Sequence, residues 1–389
     1  MPALRKHPEL MALARSSAAV THRALADGNA LQAFFEGEGA YGAMLDAITQ
    51  ARRTVCLATY IFDTDRTGRR FIEALAIARS RGVKVRVLLD GIGEFYSFPR
   101  AGSLLKRKGI KVARFVPPRI LPPSIHINLR NHRKLLIVDG HTGFTGGMNI
   151  GDRHLHQQPS GGEGTADIHF KVEGPVIEQF QAVFDEDWLF AAGEDARQPC
   201  EKLPQKGNAI CRVVTDGPNE DLGKLAMIMT GAVALARKRV AIMTPYFLPP
   251  PELINSLQAA ALRGVEVSII LPQKSNQPLV HWATRNMLWE LLQYGVQVYY
   301  QPPPFAHSKL LLVDDHYAHF GSANIDPRSL RLNFELVVEV FDEEFVARLR
   351  NHFDRVRTTA YEETLAGVDG RRLPTRIRDA LAWLFSPYL

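Results

Sequence analysis

The chain has no run of roughly 18 consecutive apolar residues, the length a helix needs to cross a bilayer, so no spanning helix is expected. Its opening stretch, MPALRKHPELMALARSSAAVTHRALADGN, contains no continuous apolar run of the signal-peptide type. If this protein meets a membrane, the expectation is that it does so from the side. Cysteine is scarce: Cys56, Cys200 and Cys211 are the three present, and no two form a CxxC pair. That excludes a zinc ribbon and a disulfide framework, and leaves reduced thiols in or near the core as the expectation. Several catalytic signatures are also missing. There is no GxxxxGK[ST], HExxH or GxSxG, and GIGEFYS, from Gly91, begins like a dinucleotide loop but lacks its third glycine.

What is present describes a folded chain with a large core. Of 389 residues, 46% are hydrophobic and 23% charged, which is a globular and not a disordered composition. The net charge of +6 is compatible with phosphate-bearing partners, either nucleic acid or an anionic lipid surface. A single-stranded nucleic-acid groove interleaves basic and aromatic residues. Only YYQPPPF, from Tyr299, comes near that pattern, so nucleic acid is not the expected partner.

The chain also carries one pattern twice. HRKLLIVDGHTGFTGGMN runs from His132 to Asn149, and HSKLLLVDDHYAHFGSAN from His307 to Asn324, both of the form H-x-K-x4-D-x6-G-[GS]-x-N. Upstream of the first copy, TVCLATYIF from Thr54 reads as a buried strand, FIEALAIARSRG as a helix and VKVRVLLD as a second strand. Upstream of the second, RVAIMTPYF from Arg239, ELINSLQAAALRG and VEVSIILP repeat that order. Both helices end in Arg-Gly-Val, at Gly82 and Gly264, with Gly where a helix C-terminus favours it. A repeat this long predicts two similar α/β lobes with mixed sheets covered by helices, not a solenoid. The expected divisions are an N-terminal extension at 1–28, lobes at 29–195 and 205–360, and a basic amphipathic tail at 361–389. The boundary is placed within the polar stretch from Ala191 to Asn208. The Pro-rich runs VPPRILPPS and YQPPPF precede the two motifs and read as shaped approaches to a site.

In each motif, His and Lys stand two apart, so a strand projects both from one face. Leu135 to Val138 is the buried part of that strand, Asp139-Gly140 is a hairpin turn, and TGFTGG is the return strand. Asn149 then falls back near His132 and Lys134, and the small Gly146-Gly147 pair is read as leaving room for a bulky anion beside the backbone. Lys and Asn donate to an anion, and imidazole serves as nucleophile or general acid/base near neutral pH. His132, Lys134 and Asn149 are half a site; His307, Lys309 and Asn324 are the other half. Together the two halves suit metal-free phosphodiester chemistry at one phosphorus. Asp139 and Asp314 belong to both copies of the motif, but parity points them off the His/Lys face, which favours a structural role.

This doubled HKD pattern resembles the phospholipase D superfamily from roughly Gly37 to Asp342. The resemblance implies two α-β-α lobes related by a pseudo-twofold axis, one shared active site, and a covalent phosphohistidine intermediate with neither metal nor cofactor. It implies His132 as nucleophile and His307 as acid/base. Acids after each motif would orient the imidazoles, with Asp167 in TADIHFKVEGP and Glu335 in LNFELVVEV matching. The pieces RNHRKLLIVDG, GGMNIGD, KVEGPV, FDEDW and GSANIDPRSLRLNFE make the chain most similar to bacterial cardiolipin synthases without N-terminal spanning helices, although Thr165 stands where an aromatic residue is common. That branch implies phospholipid substrates: transfer of a phosphatidyl group from phosphatidylglycerol, or another donor, to phosphatidylglycerol. It also implies a peripheral place on the cytoplasmic face of a bacterial cell membrane. A phospholipase D or phosphodiesterase, in which water resolves the intermediate, uses the same residues. A catalytically dead binding module would have lost a His or Lys, and both copies are intact. For lipid contact, RRLPTRIRDALAWLFSPYL spaces Ile377, Leu381 and Leu384 as on a helix behind a run of arginines. Packing of this tail on the protein's own body is the alternative. Trp282 and Trp289, seven apart on one helical face, are read as core or as the wall of a lipid entrance.

Overall fold

The computed structural model describes residues 8–118, 128–159, 161–197 and 202–389. Most of VPPRILPPS and Cys200 lie outside the described residues. The chain divides into two compact units. One, here the first-motif unit, holds Leu25–Val213 with Asn333–Leu336; the other, the second-motif unit, holds the residues through Ala24, Val214–Leu332 and Val337–Leu389.

In the first-motif unit the sheet runs Ala26–Phe34, His169–Glu173, Thr142–Gly146, Leu135–Val138, Thr54–Thr59, Lys84–Asp90, Lys111–Phe115. The neighbours are antiparallel as far as the Leu135–Val138 to Thr54–Thr59 pair and parallel beyond it. The parallel part follows from the strand–helix–strand units, whose crossovers return the chain in the same direction. Helix Arg66–Ser80 makes the first crossover. Asp65 caps it by accepting from the Gly68 N–H at 2.9 Å, and Phe71, Ile72, Leu75 and Ala78 form its buried stripe. Phe71 and Leu75, wholly buried, contribute roughly 1.5–3 kcal/mol each. The helix stops at Gly82, φ 91°, a conformation that costs other residues about 1–2 kcal/mol.

The second-motif unit repeats this order. Its strands run Asn333–Phe341 (from residue 337), Tyr317–Gly321, Leu310–Val313, Arg239–Met243, Glu266–Pro272, Gln297–Gln301, with Tyr361–Glu363 added at the edge. Again the hairpin is antiparallel to its neighbours and the two strands that follow are parallel. Helix Pro251–Leu262 buries Leu253, Leu257 and Ala260 and ends at Gly264, φ 88°. The mixed α/β lobes expected from the repeat are therefore present in both units.

The units depart from the sequence-based divisions in three places. Helix Pro8–Thr21 belongs to the second-motif unit, where it packs on helix Lys224–Leu235. Ala209–Val213 stays with the first-motif unit, and residues 361–389 are an integral part of the second. Cys56 and Cys211 are buried free thiols, and burial pushes the Cys56 thiol up to about 11. Among the described residues no helix is long and apolar enough to cross a membrane.

Each hairpin is fastened at its turn by the motif aspartate. Asp139 adopts φ 54° and Asp314 φ 51°, a left-handed conformation that Asp tolerates better than most residues. The Asp139 carboxylate accepts from the backbone N–H groups of Arg52, Arg53 and Thr54 at 2.7–2.9 Å. Asp314 accepts from Arg237, Lys238 and Arg239 at 2.7–3.0 Å. Each clasp thus ties the hairpin to the start of its neighbouring strand, at the end of the hairpin strand remote from His and Lys. Asp139→Ala and Asp314→Ala are each expected to lower unfolding stability by about 2 kcal/mol, a charge-assisted cluster lost. Urea denaturation checks this; unchanged stability with abolished turnover would make these aspartates catalytic instead.

Candidate active site

In the first-motif unit His132 and Lys134 lie between the short strand Arg130–Asn131 and strand Leu135–Val138. Lys134 is buried and its Nζ donates to the His132 carbonyl at 2.7 Å. The His132 imidazole is held from the far side of the chain. Asn333 and Phe334 pair in parallel with Arg130 and Asn131, and the His132 N–H donates to the Phe334 carbonyl at 2.9 Å. This register sets Glu335 beside His132, with Nδ1 at 2.9 and 3.2 Å from its two carboxylate oxygens. Glu335 is fully buried, and an ionised carboxylate can only accept, so Nδ1 carries the proton and Nε2 presents its lone pair. Asn333 Nδ2, 3.3 Å away, is a second donor to the same carboxylate.

Several neighbours were not anticipated. Tyr60 meets the His132 ring edge-on, with centroids 5.1 Å apart, and the Lys134 ammonium lies 5.6 Å from the Tyr60 ring centroid. The register Ala58↔Leu135 puts Tyr60 at this end of the sheet, a pairing that the hairpin pattern alone does not specify. Arg133, between His and Lys, points to the opposite face, where it binds Asp187 at 2.6 Å and the Glu335 carbonyl at 3.0 Å. It braces the backbone on both sides of the His132–Glu335 pair.

Asn149 returns to this end of the hairpin, but both ends of its carboxamide have protein neighbours. Its oxygen accepts from the Ile61 N–H at 3.1 Å, and Nδ2 is 3.5 Å from Nε2 of the buried His154. The Tyr41 hydroxyl donates to the Asn149 carbonyl at 2.5 Å, and burial raises the Tyr41 pKa, keeping it a neutral donor. Asn149 thus knits the loop after the hairpin to the end of the neighbouring strand. The Gly146-Gly147 pair also has a different use from the one expected. A Cβ on Gly147 would stand 2.5 Å from both Asp167 carboxylate oxygens, and one on Gly146, φ 151°, would stand 2.7 Å from His169 Nδ1. The glycines make room for Asp167 and for His169 of the adjoining strand His169–Glu173. Asp167 is itself buried and accepts from the Ile168 N–H at 2.8 Å. Burial lowers the His169 pKa to about 4, offset in part by Asp167, with the Lys134 charge lowering it further, so this ring is neutral near pH 7.

The second-motif unit carries the same parts. Lys309 Nζ donates to the His307 carbonyl at 2.6 Å, and both side chains are buried. Asn324 Nδ2 donates to Ser329 Oγ at 3.2 Å, at the spacing by which Asn149 meets His154. Thr244 Oγ1 donates to the Tyr246 carbonyl at 2.9 Å, as Thr59 does to Ile61 at 3.0 Å. Each unit therefore folds its motif ammonium back onto the backbone carbonyl of its motif histidine, and an imidazole with an ammonium is a pair suited to phosphoryl transfer.

The comparisons agree with this class. The family model described as "Cardiolipin synthase, PLD-like domain" matches residues 44–188 and 229–357. Cardiolipin synthase 1 of Staphylococcus epidermidis is 33% identical over 370 residues, 94% of this chain and 75% of its own. The major cardiolipin synthase ClsA of Bacillus subtilis is 33% identical over 376 residues, 95% and 77% of the two chains. Among solved structures, a phosphatidylserine synthase from Haemophilus influenzae superposes with a TM-score of 0.73 at 15% identity, covering 97% of this chain and all of that one, a likeness of fold. The chain belongs to the cardiolipin synthase family of phospholipase D-like proteins. Its activity is that of a cardiolipin synthase-like phosphatidyltransferase, acting on phospholipids.

Glu335→Gln is expected to reduce turnover on the order of 100-fold, since a neutral amide neither enforces the tautomer nor stabilises an imidazolium. Steady-state kinetics alongside urea denaturation separate this from unfolding. Unimpaired turnover would remove Glu335 from the mechanism.

Proposed function

We propose that the protein makes cardiolipin from phosphatidylglycerol by a two-step exchange, with His132 and His307 acting on the same phosphorus. The observation that carries this reading is the buried Glu335 carboxylate on Nδ1 of His132, which fixes the tautomer whose Nε2 lone pair can attack phosphorus. In the first step Nε2 attacks phosphorus of one phosphatidylglycerol and the bond to the headgroup oxygen breaks. His307, protonated, gives its proton to that oxygen and glycerol leaves. In the second step neutral His307 takes a proton from the headgroup hydroxyl of another phosphatidylglycerol. That oxygen attacks phosphorus, the P–N bond breaks, and His132 is restored. Lys134 and Lys309 supply positive charge for the non-bridging oxygens, and Asp167 serves as an orienting acid of the same kind as Glu335. Asn149 and Asn324 are assigned to the phosphate surroundings, acting mainly through the loops they hold. The reaction is placed at a membrane surface, on the cytoplasmic face, with the protein bound peripherally. Another phospholipid can serve as donor in the same scheme.

Purified protein incubated with phosphatidylglycerol in mixed micelles should yield diphosphatidylglycerol and glycerol in equal amounts. His132→Ala and His307→Ala should each lose turnover by about 1,000-fold or more while remaining folded. Phosphatidic acid as the sole lipid product would make the protein a hydrolase.

A further inference from the structure

The C-terminal helix Leu373–Leu384 is mounted the wrong way round for an ordinary surface helix. Such helices bury their apolar stripe and expose their polar one. Here Leu373, Ile377, Leu381, Leu384 and the following Phe385 are 51–67% exposed, and they recur at the spacing of a single helical face. The helix buries only two residues against the body, the small Ala382 and the charged Asp379. Asp379 is wholly buried; Arg371 binds one of its oxygens, Arg378 the other at 2.6 Å, and Arg285 of helix Pro278–Leu292 approaches at 3.7 Å. Arg371 also donates to the Arg285 carbonyl at 3.1 Å, and Arg378 lies over the Trp282 ring, 4.4 Å from its centroid.

A buried ion cluster of this kind is a poor way to gain stability, because apolar residues of similar size would serve as well or better. What it does fix is orientation: the polar face is pinned down and the apolar face is turned out. Asp379 is the only side-chain carboxylate from Gly370 to Leu389, and its charge is met by arginines. Arg372 and Arg376 are exposed on the same helix region, and among the described residues no ion pair holds either, so positive charge lies beside the apolar stripe. Trp383 and Tyr388 add exposed aromatic rings with polar edges, suited to a headgroup layer. Trp383 also borders an apolar cleft of about 410 Å³ floored by Leu248, Met287 and Leu330, so apolar surface continues from the helix toward the loop after Asn324.

We infer that this helix is the docking surface for an anionic phospholipid bilayer, lying in the headgroup region with Leu373, Ile377, Leu381, Leu384 and Phe385 inserted. The inference rests on the phosphatidylglycerol reading above and specifies which face reaches that lipid. Apolar burial supplies the binding, and Arg372 and Arg376 make it favour negative headgroups. A second copy of the chain is the competing occupant, and no charge feature of the patch favours it, since two such faces would bring like charges together.

The test is co-sedimentation with vesicles of equal parts phosphatidylglycerol and phosphatidylcholine, comparing the wild type with the combined Ile377→Glu, Leu381→Glu and Leu384→Glu variant. All three positions are exposed, so the fold is retained. The variant should bind at least about tenfold more weakly. Its turnover of monomeric short-chain phosphatidylglycerol should be unchanged, and its turnover of vesicles should fall in step with binding. Arg372→Ala with Arg376→Ala should flatten the salt dependence of binding. Equal binding by the triple variant overturns the inference, as does a wild-type dimer that the variant lacks in the absence of vesicle binding. Wild-type vesicle binding without any cardiolipin formed from phosphatidylglycerol would overturn the substrate reading and leave the docking surface standing.

Discussion

The account depends on one buried contact, between the Glu335 carboxylate and Nδ1 of His132. A carboxylate with no exposure is costly to desolvate, and an imidazole alone is indifferent to which nitrogen bears its proton. Placing them 2.9 Å apart resolves both problems, since the acid gains a donor and the ring is confined to one tautomer. Arg133, Asp187, Asn333 and the Phe334 carbonyl surround the pair, so displacing it would disturb several further hydrogen bonds.

Each unit builds the same frame for its motif. A four-residue strand carries His and Lys at its entry and the motif Asp at its turn, and the Asp carboxylate binds three consecutive N–H groups at the start of the neighbouring strand. The frame separates two tasks within one motif. The residues that would touch phosphate sit at one end, and the residue that fixes the hairpin's place in the sheet sits at the other. The outward-facing C-terminal helix shows the same economy: buried ionic contacts set an orientation, and the exposed side is left for the partner.

Much of the frame was readable from the residues. The Arg-Gly-Val helix ends, the strand–helix–strand order and the hairpin turns all follow from periodicity and local turn chemistry, which act over a few residues. Asp139 and Asp314 stand an odd number of positions from Lys134 and Lys309, and their carboxylates are engaged with backbone at the turn. What could not be read is pairing between distant segments. Asn333–Leu336 follows the second motif in sequence yet belongs to the first-motif unit, and a period-two pattern does not say which strand it will join. For the same reason the pattern does not show that Asp167, from the segment between strands Thr165–Ala166 and His169–Glu173, lies against Gly147. The C-terminal helix was recognisable as amphipathic, but only the ion cluster at Asp379 reveals which face is outward.

The central claim is that His132 becomes covalently phosphatidylated. The most direct measurement uses His307→Ala and a phosphatidyl ester of p-nitrophenol, whose leaving group needs no proton donor. The first step then proceeds while the second, which needs His307 as base, is stalled. Mass spectrometry of the quenched protein should find one phosphatidyl group per chain, on His132. A stoichiometric adduct on another residue, or p-nitrophenol released in a burst with His132 unmodified, would contradict the account.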